Sequence, residues 1–143
     1  MNVDVKLEGA NELLETFENM LDLDELRAAL EKSCAMVERT AKQKAPKGTG
    51  ELRRSITSRI ESNGDSLQGV VFTPLEYAPY VEYGTGLFAE NGGRKDVPWN
   101  YQDDEGKWHS TSGMHPQPYL RPALDENREQ ILRLLKEGAL TND

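Results

Sequence analysis

The residues that could do chemistry in this chain are few, and their spacing limits what that chemistry could be. His109 and His115 lie near Asp103 and Asp104, side-chain types that can hold a divalent cation. A zinc site needs ligands at short, recurring intervals on defined elements. The pattern here fits none, and the segment reads as loop. Asp103-Asp104-Glu105-Gly106 lacks the alternating acids and the distal glutamate of an EF-hand, so it reads as a solvated hairpin tip. Glu76 and Glu82 could serve as a carboxylate pair, or either could work with His109 in a small hydrolase, if they converged in one cleft. Ser55 and Ser58 have no base identifiable in the sequence, and no G-x-S-x-G elbow occurs. Gly84-Thr85-Gly86 has no lysine at P-loop spacing. No catalytic residue, metal or cofactor is expected, and the chain reads as a non-enzyme.

Charge points instead to surfaces. The 143 residues carry a formal net charge of −8, with 17 basic and 25 acidic side chains. That balance argues against gripping nucleic acid as the main task, because phosphate contacts need clustered Lys and Arg. The charge is unevenly placed. Glu8, Glu12, Glu15, Glu18, Asp22, Asp24 and Glu25 crowd the first part, whereas Arg39, Lys42, Lys44, Lys47, Arg53 and Arg54 crowd residues 39–54. One reading is two solvated faces. The other is an acidic face that meets the basic face of a neighbouring copy, as head-to-tail rings require. A third reading lets the 39–54 stretch touch DNA, although no aromatic residue interleaves the basic run.

The elements that position these residues follow from periodicity. Val3, Val5 and Leu7 alternate with polar residues, which predicts a short strand ended by Gly9. Leu13, Leu14, Phe17, Met20 and Leu21 recur at helical spacing. Asp22 and Glu25 form a capping-box pattern that starts a longer helix reaching about Lys44, with Leu26, Ala29, Leu30, Ser33, Val37, Thr40 and Ala41 on its inner stripe. Cys34, the only cysteine, falls in that helix as a small hydrophobe. Pro46 stops the helix. Thr49 is placed to cap a short turn through Leu52 and Arg53, which turns Leu52 and Ile56 toward the core and Arg53 and Arg54 outward. Ile56 to Ile60 and Leu67 to Phe72 predict a hairpin around Asn63-Gly64-Asp65. Tyr77 to Tyr83 predicts one or two helical turns ended by Gly84. Residues 97–111 predict a second hairpin, inside a polar, flexible insert at about 87–113. Pro122 opens a last helix lined by Leu124, Ile131, Leu134 and Leu135, with Gly138 as its stop. No apolar run approaches the roughly 20 residues that span a bilayer, and the first residues lack the basic and apolar regions of a signal peptide. A single α+β domain over residues 1–143, made in the cytoplasm, is expected.

Three segments carry a resemblance. They are Ala45-Pro46-Lys47-Gly48-Thr49-Gly50-Glu51-Leu52-Arg53-Arg54-Ser55-Ile56, Tyr77-Ala78-Pro79-Tyr80-Val81-Glu82-Tyr83-Gly84-Thr85, and Pro118-Tyr119-Leu120-Arg121-Pro122-Ala123-Leu124. In this order and spacing they resemble the tail-component family of long-tailed bacteriophages and prophages, over nearly the whole chain. The resemblance implies an α+β fold with helices packed on an antiparallel sheet; with the strands read above, a sheet of about four or five strands against a long helix in the N-terminal half and a C-terminal helix is expected. It also implies a structural role in tail completion or head–tail joining. The implied partners are further copies of the chain, as a ring in the assembled particle, and tail-tube or head-connector proteins. No membrane is expected as a partner, and nucleic acid only as DNA in transit. The chain would be made in the cytoplasm of the bacterial host and end in the virion or tail particle. The candidate interface and motif residues are Lys47, Thr49, Arg53, Arg54, Tyr77, Tyr80, Glu82, Tyr83, Thr85, Tyr119 and Arg121. If Glu82 is partly buried it needs a partner, for which Arg53, Arg54 and Lys44 are the candidates.

Overall fold

A stripe of small and apolar residues every third or fourth position makes the longest element, helix α1 (Leu23–Lys44). The computed structural model describes residues 3–6, 23–63, 66–90 and 92–140. Gly9, the predicted helix over residues 13–21, the Asp22 cap and the Gly64-Asp65 turn lie outside the described residues. Leu26, Ala29, Leu30, Ser33, Cys34, Val37 and Ala41 are buried along one side of α1, as the stripe predicts, and Thr40 is half-buried at its edge. The buried Ser33 hydroxyl donates to the Ala29 carbonyl at 2.9 Å, so the polar atom on this stripe is satisfied.

After Pro46 the chain turns through Gly50, whose φ of 79° is left-handed, into the short helix α2 (Glu51–Ser55). Thr49 Oγ1 accepts the Glu51 N–H at 3.3 Å. The hydroxyl therefore helps to close this helix from one residue before the cap position, which Gly50 occupies. Strands β1 (Val3–Lys6), β2 (Thr57–Asn63) and β3 (Ser66–Thr73) form an antiparallel sheet in the order β1-β3-β2. Val5 pairs with Val71, and Ser58 pairs with the same Val71 from the other side. Helix α3 (Ala78–Tyr83) and a single 3-10 turn (Gly86–Phe88) follow. Strands β4 (Trp99–Gln102) and β5 (Trp108–Thr111) then pair, among the described residues, only with each other. The expected single sheet of four or five strands is thus replaced by a three-stranded sheet and a separate two-stranded ribbon. The physical reason is that β4 and β5 bury neither face. Both are exposed or half-exposed along their length, so nothing draws them onto the core sheet.

Helix α4 (Leu120–Leu140) lies along α1. Gly138 approaches Ala29, Asn127 Nδ2 donates to Thr40 Oγ1 at 2.9 Å, and Lys44 pairs with Glu126 at 2.6 Å, which makes the two helices antiparallel. Ile131 and Leu135 close the core from α4, and Leu124 packs at its margin. Gly138 does not end the helix, which runs on to Leu140. A Cβ at this position would sit 2.9 Å from the Ala29 Cβ and 3.2 Å from the Glu25 carbonyl oxygen, so the glycine lets two backbones meet. Gly138→Leu is therefore expected to lower stability by about 1–3 kcal/mol through overpacking, despite leucine's better helix propensity. Thermal unfolding of the two proteins measures the difference.

Cys34 is enclosed in the same core. Burial, then the nearby Glu38 and Glu31 carboxylates, pushes its thiol from 9.0 up to about 11. A raised value in the folded state means that the thiol's contribution to stability is intact below pH 9.0. It is lost as pH rises from there through about 11. The unfolding free energy of the wild type is expected to fall more steeply across that window than that of Cys34→Ala. Parallel urea titrations across the window compare the slopes, and equal slopes would refute the assignment.

Candidate functional site

The second and third sequence motifs meet at one buried carboxylate. Proline at the second position of α3 and left-handed Gly84 (φ 81°) after it hold that helix to six residues. The helix turns Glu82 inward, where its side chain is fully enclosed. Oε2 accepts the backbone N–H groups of Tyr119 at 2.7 Å and Leu120 at 3.2 Å. Oε1 accepts the Arg121 N–H at 2.9 Å and Arg121 Nε at 3.1 Å. A helix start leaves its first N–H groups without intrahelical partners and carries partial positive charge. Glu82 supplies both the acceptors and the negative charge to α4, from 37 residues earlier in the chain.

Arg121 closes the arrangement. Its Nη1 donates to Glu90 Oε2 at 2.9 Å, and Nη2 donates to the Glu82 backbone carbonyl at 3.1 Å. Its guanidinium lies 4.6 Å from the centre of the Tyr83 ring. Glu90, and after it Glu82, hold the guanidinium above its ordinary value. Tyr119 is fully buried, and its hydroxyl donates to the Ala78 carbonyl at 3.4 Å. Burial, followed by the Glu82 charge, pushes its phenol up.

The partners expected for Glu82 are therefore corrected. Lys44 pairs with Glu126, Arg54 Nη1 donates weakly to the Thr49 carbonyl at 3.4 Å, and Arg53 faces elsewhere with its Nε buried and unpaired. Arg53 was expected to point outward with Arg54. Arg54 is exposed, but Arg53 is half-buried. Leu52 and Ile56 turn inward as expected. The first motif joins the second through Tyr77, whose hydroxyl donates to Glu51 Oε2 at 3.0 Å. Glu51 and Glu90 had no signal in the sequence, since each is an ordinary acid in a polar stretch.

The remaining candidates divide by exposure. Lys47, Thr49, Arg54, Tyr77 and Tyr80 are exposed, Tyr80 by 60%. Tyr83 and Thr85 are half-buried. Thr85 anchors the base of the insert. Its N–H donates to the Met114 carbonyl and its Oγ1 accepts the Met114 N–H, both at 2.9 Å, and the Leu87 N–H reaches the Ser112 carbonyl at 2.9 Å. Beside it, Pro79, Tyr80, Tyr83, Gly86, Arg94 and Trp99 line an open aromatic groove of about 500 Å³. A second cleft of similar volume lies between the end of α1 and the loop after it, with Arg39, Lys42, Lys47 and Arg53 in its wall.

These contacts hold and present surfaces. Both Glu82 oxygens are occupied by donors in a closed site. His109 Nε2 lies 2.7 Å from Asp103 Oδ2, and this contact holds the Asp103 carboxyl below its usual range. His115 packs on Phe88, with ring centres 3.9 Å apart. No recorded contact joins Glu76 or Glu82 to His109, and Glu76 stands exposed on the surface. Among the described residues no three His, Cys, Asp or Glu side chains are grouped as metal ligands. None of the described helices is long and apolar enough to cross a membrane.

Comparison with known proteins adds one match. The family model described as "Bacteriophage HK97-gp10, putative tail-component" matches residues 11–84, just over half of the chain. That stretch takes in the first motif and all of the second but Thr85, and it ends before the third. No curated protein and no solved structure matches. The Glu82 clamp thus fastens the matched part to the helix that follows it, and the chain belongs to the HK97-gp10-like family of bacteriophage tail components.

Proposed function

We propose that this tail component acts in tail completion or head–tail joining, by associating with copies of itself and docking to tail-tube or head-connector proteins. It works as a structural subunit and not as an enzyme. It is made in the host cytoplasm and ends in the virion or tail particle. The observation that carries this reading is the family match over residues 11–84. The geometry supports it, because the motif residues either lock elements together, as Glu82, Tyr119 and Arg121 do, or stand on the surface, as Lys47, Thr49, Arg54 and Tyr80 do. Surface-exposed aromatic and basic side chains of this kind suit recognition of protein partners.

Deletion of the gene from the phage or prophage that encodes it tests the reading. Particles are expected to accumulate as separate heads and unjoined or length-disordered tails under the electron microscope, with infectivity restored by the gene supplied in trans. Normal, infectious particles without the protein would overturn it.

A further inference from the structure

The cleft at the end of α1 holds an excess of positive charge that the described residues do not balance. Arg39, Lys42, Lys47 and Arg53 line it with a single carboxylate, Glu38. Glu38 is already engaged, accepting Lys42 Nζ and the Ser58 hydroxyl, each at 2.9 Å. The side chains of Arg39, Lys47 and Arg53 have no hydrogen-bond or ion-pair partner among the described residues. Arg53 Nε is the only described side-chain nitrogen or oxygen that is buried without an acceptor. Buried donors are rarely left in this condition, and guanidinium groups pair most strongly with carboxylates that accept two parallel N–H bonds.

The chain also carries the complement. Glu8, Glu12, Glu15, Glu18 and Asp22 precede α1, and Asp24 and Glu25 occupy its first turn. At 1.5 Å per helical residue, Glu25 lies about 21 Å along the axis from Arg39, the cleft cation nearest to it along α1, so the acids of the first turn cannot reach the cleft of their own chain. Acidic and basic ends on one rigid rod suit a head-to-tail contact, in which each copy offers one surface and receives the other. The chain's net charge of −8 and the carboxylate in the cleft wall disfavour a phosphate backbone as occupant.

We infer that this cleft receives the acidic stretch of residues 8–25 from a second copy of the chain. The inference rests on the tail-component reading and assigns the surface through which the copies associate. Charge steering sets the register of that contact and makes it sensitive to salt.

The test uses the full chain and pairs of charge-reversed variants, with circular dichroism confirming that each is folded. Sedimentation equilibrium at low salt is expected to show concentration-dependent association that weakens as salt is raised. Arg39→Glu with Lys47→Glu is expected to weaken it about tenfold or more. Mixing that variant with a chain carrying Glu12→Lys and Glu15→Lys is expected to restore association between the two. A wild type that stays monomeric at every concentration would overturn the inference. So would association indifferent to the reversal, or a loss that the swapped partner does not rescue. Duplex DNA bound by the wild type and released by the same reversal would assign the cleft to nucleic acid instead. The two readings fail separately. If the doubly reversed variant still restores tails to the deletion strain, the cleft assignment falls and the tail role stands. If the wild-type gene does not restore them, the tail role itself falls.

Discussion

Glu82→Gln is expected to lower the unfolding free energy by about 3 kcal/mol, because it leaves buried donors facing a donor. The carboxylate accepts three backbone N–H groups and one guanidinium nitrogen on its two oxygens. Glutamine keeps one acceptor and turns an NH2 toward N–H groups that have nowhere else to bond. The substitution also removes the negative charge that the α4 N-terminus and Arg121 share. Glu82→Asp keeps the charge but withdraws it by one methylene, so an intermediate loss is expected. Arg121→Lys is expected to fall short of Glu82→Gln. Lysine keeps a cation near Glu82 and Glu90, and the Arg121 side chain is 41% exposed, so the desolvation left behind is partial. Urea denaturation followed by circular dichroism ranks the three. A Glu82→Gln protein within about 1 kcal/mol of wild type would mean that the clamp is not what secures α4, since even one neutral hydrogen bond is worth that much.

Gly86→Ala is expected to cost about 2–4 kcal/mol, the sum of a backbone penalty and a steric one. The residue has a φ of 60°, where a side chain is strained. Its added methyl would run into the Ser112 carbonyl oxygen and lie 2.8 Å from both the Gly113 Cα and the tip of the Trp99 ring. The first two obstacles are backbone, so local repacking of side chains cannot relieve them. Because the contact lies at the foot of the insert, the loss is expected to be local as well as global. Amide exchange should speed up at Thr85, Leu87 and Met114 before it does so at Val37 or Ala41. Uniform exchange across all five would show that the foot of the insert and the core open together.

Much of the fold could be read from local pattern. The stripe from Leu26 to Ala41 and the stop at Pro46 bound α1, because burial and helix termination act within a few residues. The hairpin of β2 and β3 was legible in the same way, from apolar segments flanking Asn63-Gly64-Asp65. What could not be read depends on distance along the chain. The partners of Glu82 lie 37 to 39 residues away, and no periodicity links Glu82 to Arg121, so Arg53, Arg54 and Lys44, at comparable separations on the other side, looked equally suitable. Gly138 was misread for a related reason. A glycine near a helix end signals a stop unless another backbone passes beside it, and that neighbour is Ala29. The separation of the β4–β5 ribbon from the main sheet followed from a lack of burial on either face, which strand propensity does not encode.

The foot of the insert has a consequence for how this chain can change. Thr85 and Met114 face each other across two 2.9 Å hydrogen bonds, and from there the two segments stay together. The Gln117 N–H reaches the Val81 carbonyl at 2.8 Å, and the Tyr119 N–H reaches Glu82. Whatever lies between residues 87 and 113 therefore leaves and rejoins the scaffold at adjacent points. Loop closure varies only slowly with length, by about 0.6 kcal/mol for each doubling. Glu90 is the exception in that stretch, since it holds Arg121 at the start of α4; the stretch beyond it is expected to tolerate changes of length while α4 stays seated and the core beneath it keeps its shape.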